Sequence, residues 1–398
     1  MSVSRRHVAL LIESSNAYSR GLLEGIIAYT KQHDRWSVSL PEQGRGAAPP
    51  TWLTRWKGDG IIARIETPEI AQAVRKARVP TIDLSAGRHL PEVPCIETDD
   101  EAIAQAAFDH LAERGFRSFG FLGEPEFAWS NNRRDSFSKL VKDAGGDLSI
   151  FDSKPSHEPR YSWRREWKRL VRWIESLPKP AGVMACYDIA AVRLLDACRE
   201  IGIAVPESVA VIGVDDDPLL CDLSRPSLSS VVPDASRTGR MAAEQLDAMI
   251  AGERTGPLLK LVKPLGITTR QSTEVLAIED PLIARSVRII RERAFDGISV
   301  GDVLREIPLS RRLFESRFVA ELGVTPRRML TRLQMERASL LLRTTELTIA
   351  AVASAVGYSH VESFSVAFRR ESGVPPGEYR RATATGNQNG GQRGASGI

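Results

Sequence analysis

Short apolar runs alternate with longer amphipathic stretches along the first 275 residues. Leu22, Leu23, Ile26 and Ile27 have the three-to-four spacing of one helix face. Between the apolar runs the chain is long enough for crossover helices, so the pattern predicts a doubly wound α/β architecture with a mostly parallel sheet. About 270 residues exceed one comfortable core, which favours two such lobes. The predicted strands are residues 7–12, 60–63, 81–84, 119–122, 183–186 and 209–213.

The last hundred residues have only helical patterns, and the pattern occurs twice. Val300, Val303, Leu304 and Ile307 predict a short helix that ends at Pro308. Ser310 can cap a second helix, for which we expect an inward face formed by Leu313, Phe314 and Phe318. About fifty residues later the same design returns, with a longer helix over 329–343 between the copies. The second copy has Ile349, Val352, Ala353 and Val356 on its first helix, a turn at 357–359, and Phe364 and Phe368 inside its second. This duplication predicts an all-α domain with two helix-turn-helix units.

Composition is typical of a globular protein without a membrane span. The 398 residues are 42% hydrophobic and 26% charged, with a mean hydropathy of −0.20. No uncharged apolar run approaches the roughly 18 residues of a membrane helix, and residues 1–6 are too polar for a signal peptide, so we expect a cytoplasmic protein. Neither zinc-site spacing nor disulfide-scaffold density is found among the four cysteines, so we expect reduced thiols and no metal or cofactor. They are Cys95, Cys186, Cys198 and Cys221.

Charge separates the two parts of the chain. Residues 281–398 contain 18 Arg, no Lys and 11 acidic residues, a net charge of +7, which leaves −3 for residues 1–280. Clustered arginines neutralise phosphates and make bidentate contacts, so a nucleic-acid-binding module joined to a body with another task is indicated. A solvated, arginine-rich helical surface is the alternative.

Polar side chains follow several of the predicted strands. Ligands in open parallel sheets bind beyond the carboxyl ends of the strands, where 13–18, Trp129, Arg133, Asp188 and 215–217 lie here. Carboxylates, amides, arginine and an aromatic ring suit a small polyhydroxylated ligand. For each residue taken singly, a helix cap or a surface charge is the alternative.

The first 275 residues resemble the sugar-sensing core of LacI/GalR-type repressors. The resemblance rests on 180–188 (PAGVMACYD) and 202–216 (GIAVPESVAVIGVDD), with shorter matches at 98–100, 110–117, 226–231 and 239–243. It implies two lobes that close on an effector. By position it nominates as ligand contacts Tyr18, Arg133, Asp188 and Asp215, with Asn16, Trp129 and Asp216 as weaker candidates. Those repressors begin with a DNA-binding helix-turn-helix, whereas this chain starts almost directly on the first strand.

In a helix-turn-helix unit the second helix enters the major groove, and its first residues meet base edges. The candidate readers are Ser310, Arg311, Arg312, Glu315 and Ser316 in the first unit, and Ser359, His360, Val361, Glu362 and Ser363 in the second. Further along these helices, Arg317, Arg369 and Arg370 suit phosphates better.

The C-terminal segment resembles the AraC/XylS-type DNA-binding domain over roughly 283–381. Matching stretches are 340–345 (LLLRTT), 349–353 (IAAVA), 356–358 (VGY), 364–370 (FSVAFRR) and 373–380 (GVPPGEYR). A LacI-like sensor before an AraC-like reader is the arrangement of bacterial xylose-operon regulators, which the whole chain resembles. The resemblance implies a homodimeric transcription factor that binds double-stranded operator DNA and a small sugar, D-xylose first among the candidates. Activation through RNA polymerase is also implied, with repression left open.

We therefore expect a sugar-sensing domain at 5–275, a linker at 276–282, an AraC-type DNA-binding domain at 283–383 and a disordered tail at 384–398. Two alternatives remain. The same regulator could take another pentose, a hexose, a nucleoside or a phosphosugar, or keep an effector-free sensor for assembly. The α/β part could instead be a sugar-processing enzyme, but it contains no G-x-G-x-x-G, P-loop, G-x-S-x-G or metal-ligand cluster, so we expect no enzyme.

Overall fold

The computed structural model describes residues 5–33, 36–42, 44, 47–155, 158–253, 258–274, 278, 280–345 and 347–381. These residues form two compact units that divide between positions 277 and 278. The predicted tail at 384–398 lies outside the described residues, as do positions 276, 277 and 279 of the predicted linker.

The strands of the first unit are short and mostly buried. In chain order the described strands are β1 (Arg6–Leu11), β2 (Trp36–Ser39), β3 (Gly60–Ala63), β4 (Thr81–Asp83), β5 (Cys95–Thr98), β6 (Ser118–Gly123), β7 (Asp147–Asp152), β8 (Ala181–Ala185), β9 (Val209–Val214), β10 (Ser229–Val232), β11 (Leu259–Val262) and β12 (Gly266–Thr268).

They form two six-stranded sheets, one in each lobe. The amino-terminal lobe has the order β11-β5-β4-β3-β1-β2, and every pairing in it is parallel. The carboxyl-terminal lobe has the order β12-β10-β9-β8-β6-β7, and only β12 runs antiparallel to its neighbour. The predicted two-lobed, mostly parallel α/β architecture is confirmed.

Fourteen α-helices are described. They are α1 (Ala17–His33), α2 (Pro68–Ala77), α3 (Asp100–Glu113), α4 (Ala128–Asp143), α5 (Trp163–Ser176), α6 (Asp188–Glu200), α7 (Pro218–Leu223), α8 (Ala235–Ile250), α9 (Pro281–Arg293), α10 (Val300–Leu304), α11 (Arg311–Leu322), α12 (Pro326–Thr344), α13 (Ile349–Ala355) and α14 (Val361–Ser372).

The chain passes between the lobes three times. It leaves β5 for α3, which packs on α4; it leaves β10 for α8, which packs on α1; and it leaves β11 for β12. The crossing segments bond to one another: Asp99 N donates to Val262 O at 2.9 Å, and Leu265 N donates to Val232 O at 2.8 Å. Because the segments that follow β5, β10 and β11 connect the lobes, the carboxyl ends of these strands face one cleft.

The α1–α8 contact is unusually close because glycines lie on both helices. A Cβ at Gly25 would collide with the carbonyl oxygen of Ser236, and a Cβ at Gly239 with that of Leu22. Glycine is therefore required at both positions for this packing.

The second unit repeats a helix-turn-helix design around two small cores. Phe314 and Phe318 of α11 are fully buried in the first core, and Phe364 and Phe368 of α14 in the second. Both α11 and α14 end at a glycine in the left-handed region, Gly323 at φ 67° and Gly373 at φ 80°. The expectation that Leu313 faces inward is wrong, since 43% of its surface is exposed. It precedes Phe314 by one residue, which turns it off the buried face.

Candidate functional site

A polar pocket lies where the carboxyl ends of the two sheets meet. It encloses about 20 Å³. The amino-terminal lobe contributes four lining residues and the carboxyl-terminal lobe contributes four more: Asn16, Tyr18, Arg64, Glu97, Trp129, Arg133, Tyr187 and Asp215. Five of the seven predicted ligand contacts are brought together here, and that they bind an effector remains a prediction.

The amino-terminal wall is built around the buried guanidinium of Arg64. It donates to Glu13 Oε1 at 2.6 Å and to Ser19 Oγ at 2.9 Å, and it also pairs with Glu66. Burial opposes its charge, but Glu66 and Glu13 raise the pKa of Arg64. Its Nε is buried and has no hydrogen-bond partner among the described residues.

Glu97 is the second buried group of this wall. The hydroxyl of Tyr18 donates to Glu97 Oε1 at 3.4 Å and accepts from Thr98 Oγ1 at 2.9 Å. Burial, together with the charge of Asp100, raises the pKa of Glu97 well above its usual range. Glu97 Oε2 has no hydrogen-bond partner in the described part of the chain. This shift favours the neutral carboxylic acid, a form that can donate to or accept from a hydroxyl.

The carboxyl-terminal wall holds Arg133 in a fixed position. Arg133 Nε donates to Asp100 Oδ1 at 2.8 Å, and Nη1 donates to the carbonyl oxygen of Cys186 at 2.7 Å. Its guanidinium carbon lies 5.2 Å from the centroid of the Trp129 ring. Tyr187 meets Trp129 edge to face at a centroid distance of 5.6 Å. The result is an aromatic surface beside a planar donor.

Asp215 lines the pocket from a strained turn. Its φ is 111° and that of Asp216 is 50°, both in the region that favours glycine. Backbone strain of this kind is retained where the surrounding structure holds it and is concentrated at binding sites.

Two predicted ligand residues lie behind this turn and do not line the pocket. Asp188 accepts from Asp217 N at 2.8 Å and from Ser230 Oγ at 2.7 Å. Burial, and next the charge of Asp215, raise the pKa of Asp188 well above its usual range. Asp216 accepts from Thr268 Oγ1 at 2.8 Å and from Arg270 Nη1 at 2.7 Å. Both carboxyl groups therefore hold the loop that carries Asp215, and their contact with a ligand stays a prediction.

Three lining residues were missed by the sequence analysis. Arg64 and Tyr187 come within two residues of the ends of the predicted strands 60–63 and 183–186, so the strand-end rule could have found them. Glu97 lies inside β5, a strand that the pattern did not predict.

The predicted base readers of the first helix-turn-helix lie at the start of α11. Ser310 is the N-cap and accepts from Leu313 N at 3.4 Å. Arg311 Nε donates to Glu315 Oε1 at 3.0 Å, whereas Arg312 is exposed with no ion pair in the described part of the chain. Ser316 is exposed one turn further on. Arg317 donates to Asp280 Oδ2 at 3.2 Å and so ties α11 to the N-cap of α9.

The second set lies at the start of α14. Ser359, His360, Glu362 and Ser363 are exposed, and Val361 is half-buried against the second core. Towards the end of the helix, Arg369 and Arg370 are exposed. That these residues read DNA remains a prediction.

No group of three His, Cys, Asp or Glu residues within the described ranges could hold a metal ion. No described helix has both the length and the apolar content to cross a membrane.

The fold and the two sets of side chains define a class of protein. A two-lobed α/β sensor with a polar interlobe pocket, followed by paired helix-turn-helix units, is the design of effector-controlled, DNA-binding transcription regulators. Family models match in the same places: a periplasmic binding protein-like domain over residues 108–273, a helix-turn-helix domain over 303–382 and an XylR N-terminal domain over 7–101.

Relatives match along almost the whole length. The xylose operon regulatory protein of Escherichia coli (strain K12) is 32% identical over 391 residues, which cover 96% of this chain and 98% of that protein. The Haemophilus influenzae protein of the same name is 30% identical over 94% of this chain and 97% of its own. The chain belongs to the family of xylose operon regulatory proteins.

Solved structures agree with this assignment. The structure of the xylose-binding transcription activator XylR has a TM-score of 0.82 and 31% identity, covering 96% of this chain and 99% of that one. A LacI family transcriptional regulator from Rhodococcus species matches 68% of this chain with a TM-score of 0.56 at 22% identity, which shows a shared fold for that part.

Proposed function

We propose that this chain activates genes of sugar catabolism when D-xylose binds in the pocket between its lobes. The observation that carries the proposal is the pocket itself, in which Arg64, Glu97, Arg133 and Asp215 meet around the aromatic faces of Tyr18 and Trp129. The relatives are named for the xylose operon, and the most similar solved structure described above is of a xylose-binding activator.

The polar groups of the pocket can bind the hydroxyls of a pentose, and its aromatic groups can pack against the sugar ring. Arg64 Nε and Glu97 Oε2 supply a donor and a carboxyl oxygen without partners among the described residues. Asp215 and Arg133 face them from the other lobe, so hydroxyls on both edges of one sugar ring bond to both lobes at once. Trp129 adds apolar surface to the pocket wall, against which the C–H groups of the sugar ring can pack.

The charge of the pocket disfavours a phosphosugar. Each lining arginine is already matched by acidic side chains, Arg64 by Glu13 and Glu66, and Arg133 by Asp100. A phosphate dianion would add charge beside these carboxylates and would lack an uncompensated cation. A neutral sugar meets no such penalty.

Sugar controls DNA binding by favouring the closed lobes. An effector shifts such an equilibrium only as far as it binds one arrangement better, and the coupling is reciprocal. A typical coupling of about 1–3 kcal/mol changes operator affinity roughly 5- to 150-fold. We further propose that the chain acts in the cytoplasm as a homodimer, that α11 and α14 read successive major-groove faces of each half-site, and that the bound dimer recruits RNA polymerase.

The test is a thermal-shift screen of the purified full chain against pentoses, hexoses, nucleosides and phosphosugars. At a hundred times its dissociation constant a ligand stabilises the sensor by about 2.7 kcal/mol. A selective response to D-xylose that Asp215→Ala abolishes without unfolding the protein supports the proposal. A selective response to another compound replaces the effector, and an Asp215→Ala variant that responds normally removes this pocket as the site.

A further inference from the structure

Val366 is the most outward residue of α14. It follows the buried Phe364 by two residues and precedes the buried Phe368 by two, and each step along a helix turns the side chain by about 100°. Val366 therefore points directly away from the core, and 71% of its surface is exposed. Since Val366 packs against no core, its apolar side chain is available to a partner of α14.

The internal repeat identifies the matching position in α11. The two helix-turn-helix copies match at a constant offset of fifty residues: Phe314, Phe318 and Gly323 of the first copy correspond to Phe364, Phe368 and Gly373 of the second copy. Val366 then corresponds to Ser316, which is also exposed. One helix presents a hydroxyl at the centre of its outer face and the other presents a purely apolar side chain.

The residues four positions before Ser316 and Val366 also differ between the two helices. Arg312 of α11 corresponds to Glu362 of α14, and both are exposed. In the major groove arginine takes guanine O6 and N7, whereas a carboxylate accepts from the N4 amine of cytosine. The outer face of α14 begins with a carboxylate and a hydroxyl and reaches its arginines, Arg369 and Arg370, only at its far end. The outer faces of the two helices therefore offer different chemical groups to a base pair.

A valine can make only apolar contacts, and the C5-methyl of thymine is the one apolar group that base pairs present in the major groove. We propose that Val366 contacts a thymine methyl group at the centre of the element read by α14, which makes Val366 a specificity-determining residue. The inference rests on the proposed function, because it requires α14 to lie in the groove.

The experiment first selects binding sites for the full chain from a random pool of duplex DNA, in the presence of D-xylose. In the selected duplex each thymine is then replaced in turn by uracil, which lacks only the methyl group, and affinities are measured by competition. We expect one such thymine within the part of the site that α14 reads. Replacing it by uracil should weaken binding about fourfold, which is the effect of losing roughly one buried methyl group. In Val366→Ala the same replacement should change affinity less than about 1.5-fold, because the contact is already absent.

Ser316→Ala is the matched control, because it removes the corresponding outward side chain from α11. Ser316 is itself a candidate base reader, so the control compares the ratio of affinities for the thymine and uracil duplexes, which should stay as in the parent protein, and not the affinity itself. Both substitutions are at exposed positions, so the variants should melt within about 1 °C of the parent protein. A uracil scan without effect anywhere in the selected site, or a penalty that persists in Val366→Ala, overturns the inference while the DNA-reading function stands. A selection that enriches no sequence overturns the proposed function and this inference together.

Discussion

Arg20 and Asp217 form an ion pair that joins the two lobes. Arg20, on α1 of the amino-terminal lobe, donates from Nη2 to Asp217 Oδ2 at 2.6 Å. Asp217, in the carboxyl-terminal lobe, also caps α7 by accepting from Leu219 N at 3.1 Å through its other oxygen. An ion pair at this distance requires the two lobes to be close together, so it stabilises the arrangement of the lobes that the structure has.

We expect Arg20→Ala to weaken sugar binding about two- to fivefold. The side chain of Arg20 is 38% exposed, and exposed ion pairs contribute up to about 1 kcal/mol. The measurement is a calorimetric sugar titration at low and high salt, since salt should reduce the difference between the variant and the parent protein. Arg75→Ala is the control, because the Arg75–Glu92 pair lies within one lobe and is more exposed. Equal effects of the two substitutions would contradict a role in closure.

Glu97 should act as a neutral acid at neutral pH, because its burial raises the pKa of this carboxyl group well above its usual range. We therefore expect Glu97→Gln, which is uncharged and of similar shape, to keep sugar affinity within about threefold at pH 7. Glu97→Ala should lose tenfold or more, since it leaves the hydroxyl of the ligand without a partner in a dry site. Affinities for both variants come from the same titration at pH 7. Equal losses in Gln and Ala would mean that Glu97 binds the sugar as an anion.

Apolar periodicity predicted the central strands and missed those at the edges. The six predicted runs correspond to β1, β3, β4, β6, β8 and β9, which lie inside the two sheets. The edge strands β2, β7, β11 and β12 were missed. One side of each faces no neighbouring strand, so their residues are more polar or more exposed and do not form a continuous apolar run. Asp147 and Asp152 at the ends of β7, and the exposed Leu259 and Leu261 of β11, illustrate this. The interior β5 and β10 were missed as well, since Glu97 and Thr98, and Ser229 and Ser230, interrupt their apolar runs.

The rule that ligands bind beyond strand ends predicted five of the residues that line the pocket, but it could not decide which way each side chain turns. Asp188 and Asp215 both follow strands, yet Asp188 bonds to Ser230 and to the backbone of Asp217 while Asp215 lines the pocket. That difference depends on the positive φ of Asp215 and Asp216. A positive φ can be expected from sequence at a glycine, but no local pattern predicts it at an aspartate. Val366 was not among the predicted base readers, because that prediction concerns the first residues of each helix, whereas Val366 lies in the middle of α14 at an exposed position.

His110 should make the first unit sensitive to acid. Nε2 of His110 lies 2.7 Å from Thr273 Oγ1, and burial lowers its pKa to about 4. An unfolded histidine has a pKa of about 6.5, so the stability that comes from the neutral ring is complete above that pH and is lost as the pH falls from about 6.5 to 4.

At pH 5 this loss amounts to about 2 kcal/mol. The measurement is unfolding by denaturant at pH 7 and at pH 5, followed by tryptophan fluorescence. Between these two pH values the free energy of unfolding of His110→Gln should fall by about 2 kcal/mol less than that of the parent protein. All seven tryptophans lie at or before residue 173, so the signal reports on the first unit. Asp83, whose pKa burial raises to about 7, changes stability in the opposite direction but is present in both proteins and cancels in the difference. Identical pH dependence of the two proteins would contradict the assignment.

Gly239 should be required for the packing of α8 on α1. In an open helix Gly→Ala stabilises by up to about 1 kcal/mol, because alanine has the higher helix propensity. At Gly239 the added methyl group would collide with the backbone carbonyl of Leu22, so we expect Gly239→Ala instead to lower the free energy of unfolding by about 1–3 kcal/mol. Differential scanning calorimetry of the full chain provides the measurement. Glu244→Ala, at an exposed position of the same helix that pairs only with Arg240 among the described residues, should change stability by no more than about 0.5 kcal/mol. Because propensity and collision act in opposite directions, the sign alone decides: a higher melting temperature for Gly239→Ala would mean that the two helices can separate without cost.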